Sequence, residues 1–200
     1  FDLQLGETGQ VRSMRLDFTL GSGSVLLDGY EGAVGLNKVT LKAGLDEARL
    51  SLDAFDVVLA NGTNLQVSGA MGFGPAWSPQ TLTVSLASKQ MAFNLFYALW
   101  PQWAKAEARD WVGTHIQQGL VRDAVLNFEA NFVDGRPRLR AIAGSLALAG
   151  AQLTLGDTIP PIANVSGKIS LEDDAATIVL DQASVDDLAL QYGRVTIAPL

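Results

Sequence analysis

Two hundred residues, 48% of them hydrophobic, suit one large β domain or two small ones with ample apolar surface for a core. The formal charge of −7 has the wrong sign for a nucleic-acid backbone and opposes docking on anionic headgroups. Cysteine is absent, which excludes disulfides, thiolate metal sites and a cysteine nucleophile.

Along the chain the dominant pattern has a period of two. In Val11 to Leu20, Met14, Leu16, Phe18 and Leu20 point one way while Ser13, Arg15, Asp17 and Thr19 point the other. Gly21-Ser22-Gly23 signals a turn, and Ser24 to Asp28 returns. Lys38 to Leu41 and Ala48 to Leu52 alternate again. Phe55 to Leu59, Asn61-Gly62 and Leu65 to Ala70 spell a hairpin, because Asn-Gly supplies the positive φ angles of a tight turn. Gly72 to Pro79 reads as a loop, and Thr81 to Leu86 as the cleanest strand.

Asn94 to Gly119 breaks the pattern with helical spacing. Ala104, Ala108, Trp111, Val112 and His115 fall on one face, with Lys105, Glu107, Arg109 and Asp110 opposite. The expectation is one helix from about Pro101 to Gln118. Pro101 sits in its first turn, Gly119 closes it, and a short apolar turn, Leu95 to Trp100, precedes it. Trp100, Trp103 and Trp111 are expected to cap the sheet, with Trp103 or Trp111 buried against it.

Beyond the helix, Val125 to Val133 alternates with Leu126, Phe128, Ala130 and Phe132 inward. Asp134-Gly135 turns it into Leu139 to Leu148, and Gly150 leads to Ala151 to Leu155. After Pro160-Pro161 come Val165 to Leu171, a Glu172-Asp173-Asp174 turn, Thr177 to Leu180, Ser184 to Leu190 and Arg194 to Ile197. This amounts to roughly a dozen strands spaced by turn signals, as in all-β architectures. Strict alternation gives each strand one apolar face, unlike buried parallel strands, which are apolar throughout. The fold class is therefore mainly β: an antiparallel sheet, as a trough or a sandwich-like array, with one short α-helical segment at about 95–118. Two strand-rich parts, 1–93 and 120–200, flank the helical segment 94–119.

No apolar run approaches the roughly 20 residues of a membrane-spanning helix, and no signal peptide is recognisable. The chain starts at Phe1 and stops at Ala198-Pro199-Leu200 with the strand pattern still running, so residues 1–200 are expected to be a fragment of a larger β-rich domain.

Groups for chemistry are sparse. His115 has no second histidine and no metal-ligand spacing around it, and reads as a packed or capping residue. Ser22 and Ser24 lie in a Gly-Ser turn, with no nucleophile elbow. Gly69, Gly72 and Gly74 are not followed by a helix that would complete a phosphate cradle. Glu172-Asp173-Asp174 and Asp186-Asp187 lack calcium-loop spacing and read as solvated turn acids. Asn61-Gly62-Thr63 and Asn164-Val165-Ser166 match the glycosylation sequon, a very short pattern. No catalytic residue, metal ligand or cofactor site is expected. The one-faced strands either close on each other as a sandwich core or line a groove for an apolar ligand.

The segment Leu95 to Ala130 resembles the central region of AsmA-like bacterial envelope proteins. The residues that carry the resemblance are Leu99, Trp100, Pro101, Ala108, Arg109, Trp111, Val112 and Gly119, then Val121-Arg122-Asp123-Ala124. Ala151 to Leu155, Ile159-Pro160-Pro161-Ile162, Val165 to Ile169 and Gly193 to Ile197 are similar too, so the likeness covers about residues 81–200. It implies the periplasmic part of a long, inner-membrane-anchored protein with an elongated, twisted sheet folded into an apolar trough. It also implies a non-enzymatic conduit carrying phospholipid acyl chains between inner and outer membranes. Its neighbours would be other segments of the same long chain and proteins of either membrane, and nucleic acid is not among its partners. The expected lipid contacts are Leu82, Val84, Leu86, Leu126, Phe128, Leu146, Leu148, Val165, Ile169, Leu171, Ile178 and Leu180. Two other readings stand beside this one. One is a structural scaffold of envelope assembly with a closed, dry β-core. The other is a β-sandwich carbohydrate-active enzyme, for which an exposed aromatic platform at Trp77 would speak.

Overall fold

A computed structural model gives the fold. It describes residues 2–5, 11–27, 30–156, 158–172 and 175–197; Phe1, Asp28, Asp173, Asp174 and Ala198 to Leu200, which the sequence readings touch, lie outside them. The elements, in order, are β1 (Asp2–Leu5), β2 (Val11–Leu20), β3 (Gly23–Leu26), β4 (Ala33–Asp46), β5 (Arg49–Leu59), β6 (Asn64–Phe73) and β7 (Pro79–Ala92). Two helices follow, α1 (Phe93–Leu99) and α2 (Ala106–His115). The chain then runs through β8 (Ile116–Val133), β9 (Arg136–Leu153), β10 (Ile162–Glu172), β11 (Ala175–Val185) and β12 (Leu188–Ile197).

All twelve strands belong to one open antiparallel sheet, mainly in chain order, with β3 set off the path beside β4. The protein is mainly β, as expected. One sheet runs through both strand-rich parts, because β7 pairs with β8 all the way to Ala92 opposite Leu120. Local chemistry makes the hairpins. Gly62 has φ 85° after Asn61, whose side-chain oxygen accepts from the Thr63 N–H at 3.0 Å. Asp134 and Gly135, at φ 52° and 72°, supply the left-handed pair that a two-residue turn between β8 and β9 requires.

The strands are longer than alternation alone suggests, because bulges interrupt them. β8 and β9 each run for eighteen residues. The register of β8 against β9 slips between Arg122 and Val125, where Asp123 is left-handed at φ 46°. The β10 register slips around Asn164, at φ 54°. Each bulge kinks its strand and adds twist, so the sheet coils instead of lying flat.

The helix expected over Pro101 to Gln118 is shorter, α2 running only from Ala106 to His115, and the apolar turn expected at Leu95 to Trp100 is a helix of its own, α1. A residue before proline is pushed out of the helical region, and Trp100, at φ −68° and ψ 118°, ends α1 there. Pro101 thus closes the first helix rather than opening the second. Gln117 and Gln118 belong to β8, and Gly119, at φ 128°, lies inside that strand at a register slip, not at a helix end.

Trp103 and Trp111 do not cap the sheet: they are 36% and 47% exposed. Trp111 stacks outside α2 on His115, ring centroids 4.6 Å apart. Its place against α1 is taken by Arg109, Val112 and Gly113. A Cβ on Gly113 would run into the Tyr97 ring, so glycine permits the approach. Arg109 lies over the same ring, 4.3 Å from its centroid, and was expected on the outer face. Trp100 is half-buried; its Nε1 donates to the Ala104 carbonyl (2.7 Å) and its ring meets Phe96 edge-on.

Candidate functional site

The pairing register shows what the strands share. One cross-strand line reads Phe18, Leu41, Phe55, Val67, Leu86, Leu126, Gly144, Leu171, Ala176 and Ile197, each residue opposite the next on ten successive strands from β2 to β12. No polar side chain interrupts it. A second line runs beside it: Leu3, Met14, Leu45, Leu50, Met71, Leu82, Ala130 and Leu139. The reverse face is the opposite in character. Its line reads Thr19, Thr40, Asp56, Gln66, Ala87, Val125, Ser145, Ser170, Thr177 and Thr196. The sheet thus has one hydrocarbon side and one mainly polar side across nearly its full width. At about 4.8 Å per strand, ten strands carry the apolar lane for roughly 43 Å.

Keeping that face apolar demands the bulges. Leu126, Ala124 and Val121 all share it although their spacing changes from two to three at the Asp123 bulge. On β7, Ser88 and Met91 make the matching step, opposite Ala124 and Val121. Gly144 lies in the lane itself: a Cβ there would strike the Val125 carbonyl, and its φ of 144° suits glycine.

All twelve residues expected to contact lipid stand on this apolar face, by register with the lines above. They divide by cover. Leu126, Leu146 and Leu148 are buried; Leu82, Val84, Leu86, Phe128, Val165, Ile169, Leu171, Ile178 and Leu180 keep part of their surface in solvent. The helices cause part of the division. α1 lies against β7 and β8 and places Phe93 and Leu95, 5% and 3% exposed, in a cluster with Val57, Leu65, Met91, Val121 and Leu148. Toward the other strand ends, Leu45, Leu52, Met71, Leu82 and Val84 are only half-buried and Leu50 is exposed. At the edges, Leu188, Val195 and Ile197 on β12 and Leu3 and Leu5 on β1 are exposed as well.

The other candidate groups are dispersed. His115 ends α2 half-buried, its Nδ1 donating to the Trp111 carbonyl at 2.7 Å, a contact within its own helix. Glu172 ends β10 exposed, and Asp186 and Asp187 are exposed in the β11–β12 turn. No group of three metal-ligating side chains converges among the described residues. Trp77 is exposed in the β6–β7 turn, edge-on to Phe73 at 5.5 Å. On the polar face a shallow groove of about 380 Å³ is lined by Asp53, Asp56, Gln66, Ser68 and Ser85, among others. No helix among the described residues is long and apolar enough to cross a membrane.

Set against known protein families, curated proteins and solved structures, the chain matches none of them.

Proposed function

We propose that this chain is a non-enzymatic lipid-binding module whose apolar lane carries phospholipid acyl chains, as one section of a periplasmic conduit between inner and outer bacterial membranes. The observation that carries this reading is the uninterrupted ten-strand line from Phe18 to Ile197, with a line behind it that is polar or small except at Val125. A closed core needs apolar faces, but it does not need one unbroken apolar lane extending to exposed edge strands. An acyl chain gains about 0.8 kcal/mol for each CH₂ removed from water, with no residue required to react. Headgroups would stay in solvent along the open side of the lane. The resemblance to AsmA-like envelope proteins supports the periplasmic setting and the neighbours: further segments of the same long chain, and membrane proteins at either end.

The test is mass spectrometry of lipids retained by the purified protein, with photo-crosslinking at single positions. Probes at Val84 and Phe128, a cross-strand pair on the same face between the two apolar lines, are expected to capture phospholipid. Probes at Thr83 and Glu129, their neighbours on the polar face, are not. Protein free of lipid, with no crosslink at Val84 or Phe128, would leave the dry scaffold as the better reading.

A further inference from the structure

The connection between β7 and β8 is far longer than their pairing requires. The ladder stays intact up to Ala92 opposite Leu120, so a tight turn would join the strands there. Instead the chain leaves the sheet as α1 and α2 and folds back over the apolar face. α1 places Phe93 and Leu95 in the apolar cluster. None of the residues of α2 is buried. Between them Lys105 takes a left-handed conformation at φ 53°, a joint rather than a continuous helix.

Arg109 ties α2 to α1 and to the residue that ends it, so the two helices are held as a unit. The Arg109 guanidinium lies on the Tyr97 ring; its Nη1 donates to the Tyr97 hydroxyl and its Nε to the Trp100 carbonyl, both at 3.2 Å. Tyr97 in turn stacks on Phe93, which is in the apolar cluster.

We propose that α1 and α2 form a displaceable plug, latched by Arg109, that holds part of the apolar face in place of an acyl chain. Side chains of α1 cover Val121 as hydrocarbon would, and releasing the latch widens the lane toward Val121. The identity of the competing occupant rests on the function proposed above; the plug itself does not.

The chain has no cysteine, so a single introduced thiol reports unambiguously. Val121→Cys places it on a 1% exposed position of the strand against which α1 lies, and Ala176→Cys on a buried position of β11, outside the plug's cluster. In the intact 200-residue chain, adding Arg109→Ala is expected to speed maleimide labelling of the thiol at 121 by about tenfold, the factor that matches about 1.4 kcal/mol of lost latch. Labelling at 176 should not change. Equal acceleration at both sites means general loosening, and no acceleration at 121 means no latch; either result overturns the plug. Leu148→Cys, also covered, serves as reporter if the first variant folds poorly.

A photo-probe at Val121 with phosphatidylethanolamine–phosphatidylglycerol vesicles decides the occupant. Crosslinking at 121 only in the Arg109→Ala background, beside crosslinking at Val84 in both, is the expected result. Crosslinking at Val84 but never at 121 overturns acyl exchange with the plug. Absence at both overturns that exchange together with the lipid function, while the thiol rates still decide whether the plug moves.

Discussion

Gly113 sets how α2 lies on α1. Its missing Cβ leaves the space that the Tyr97 ring fills, so Gly113→Ala must push α2 outward or turn Tyr97. Overpacking of this kind costs about 1–3 kcal/mol. A lower urea midpoint at unchanged slope is the expected signature, and a midpoint equal to wild type would mean that the contact is not maintained. Asn164 carries a different constraint, a left-handed backbone inside a strand. Asparagine tolerates that conformation, whereas a β-branched side chain does not, so Asn164→Val is expected to cost about 1–2 kcal/mol. Asn164→Gly should be nearly neutral in the same melt. At this scale the sequence was only partly legible. Helical spacing separated the Trp111 face from the Arg109 face, but it did not say which one packs inward. Apolar content favoured Trp111. The structure prefers Arg109, whose planar guanidinium covers Tyr97, while Trp111 pairs with His115 outside.

Strands and turns were more legible than helices, for a physical reason. Turn chemistry at Asn61-Gly62 and Asp134-Gly135 is local, and alternation over a few residues is local, so both survive in one dimension. Strand length is not local. Alternation shifts phase wherever a bulge adds a residue, as at Asp123, and a reader of periods ends the strand there. Gly150, expected to separate two strands, instead lies within β9 at φ 65°. The lane itself was readable as a set of apolar positions, all twelve of them on one face. Which of these are covered was not readable, because cover comes in part from a helical segment folding back over the sheet. That difference yields a paired prediction. Leu148→Asp buries a carboxylate among Val121, Ala151 and their neighbours, and is expected to cost more than about 4 kcal/mol or abolish folding. Val84→Asp, on a half-buried stretch of the same face, leaves its carboxylate a route to water and is expected to cost about 1–2 kcal/mol. Circular dichroism and a cooperative melt for each variant check both halves. If Val84→Asp unfolds the chain as thoroughly as Leu148→Asp, the lane is a closed core.

Across the whole molecule the question is whether the lane works as a path or only as a surface. A surface tolerates a local flaw; a path does not, because whatever moves along it must cross every strand. Val84 stands at the middle of the sheet, opposite Gly69 on one side and Phe128 on the other. A carboxylate there would hold water against the lane. An acyl chain that loses contact over only two CH₂ groups gives up about 1.6 kcal/mol, which slows passage by more than about tenfold. Val84→Asp is therefore expected to cut the transfer of a fluorescent phospholipid between vesicles at least that much. Photo-probes at Phe55 and Leu171, on either side of the break, should still capture lipid, since each half of the surface is intact. Thr83→Asp, one residue away and facing the polar side, should leave transfer unchanged and so controls for the added charge. Equal losses from the two variants would trace the effect to net charge at the vesicle surface. Full transfer by a folded Val84→Asp protein would show that lipid does not travel the lane, and the apolar face would then be a static seat for its ligand.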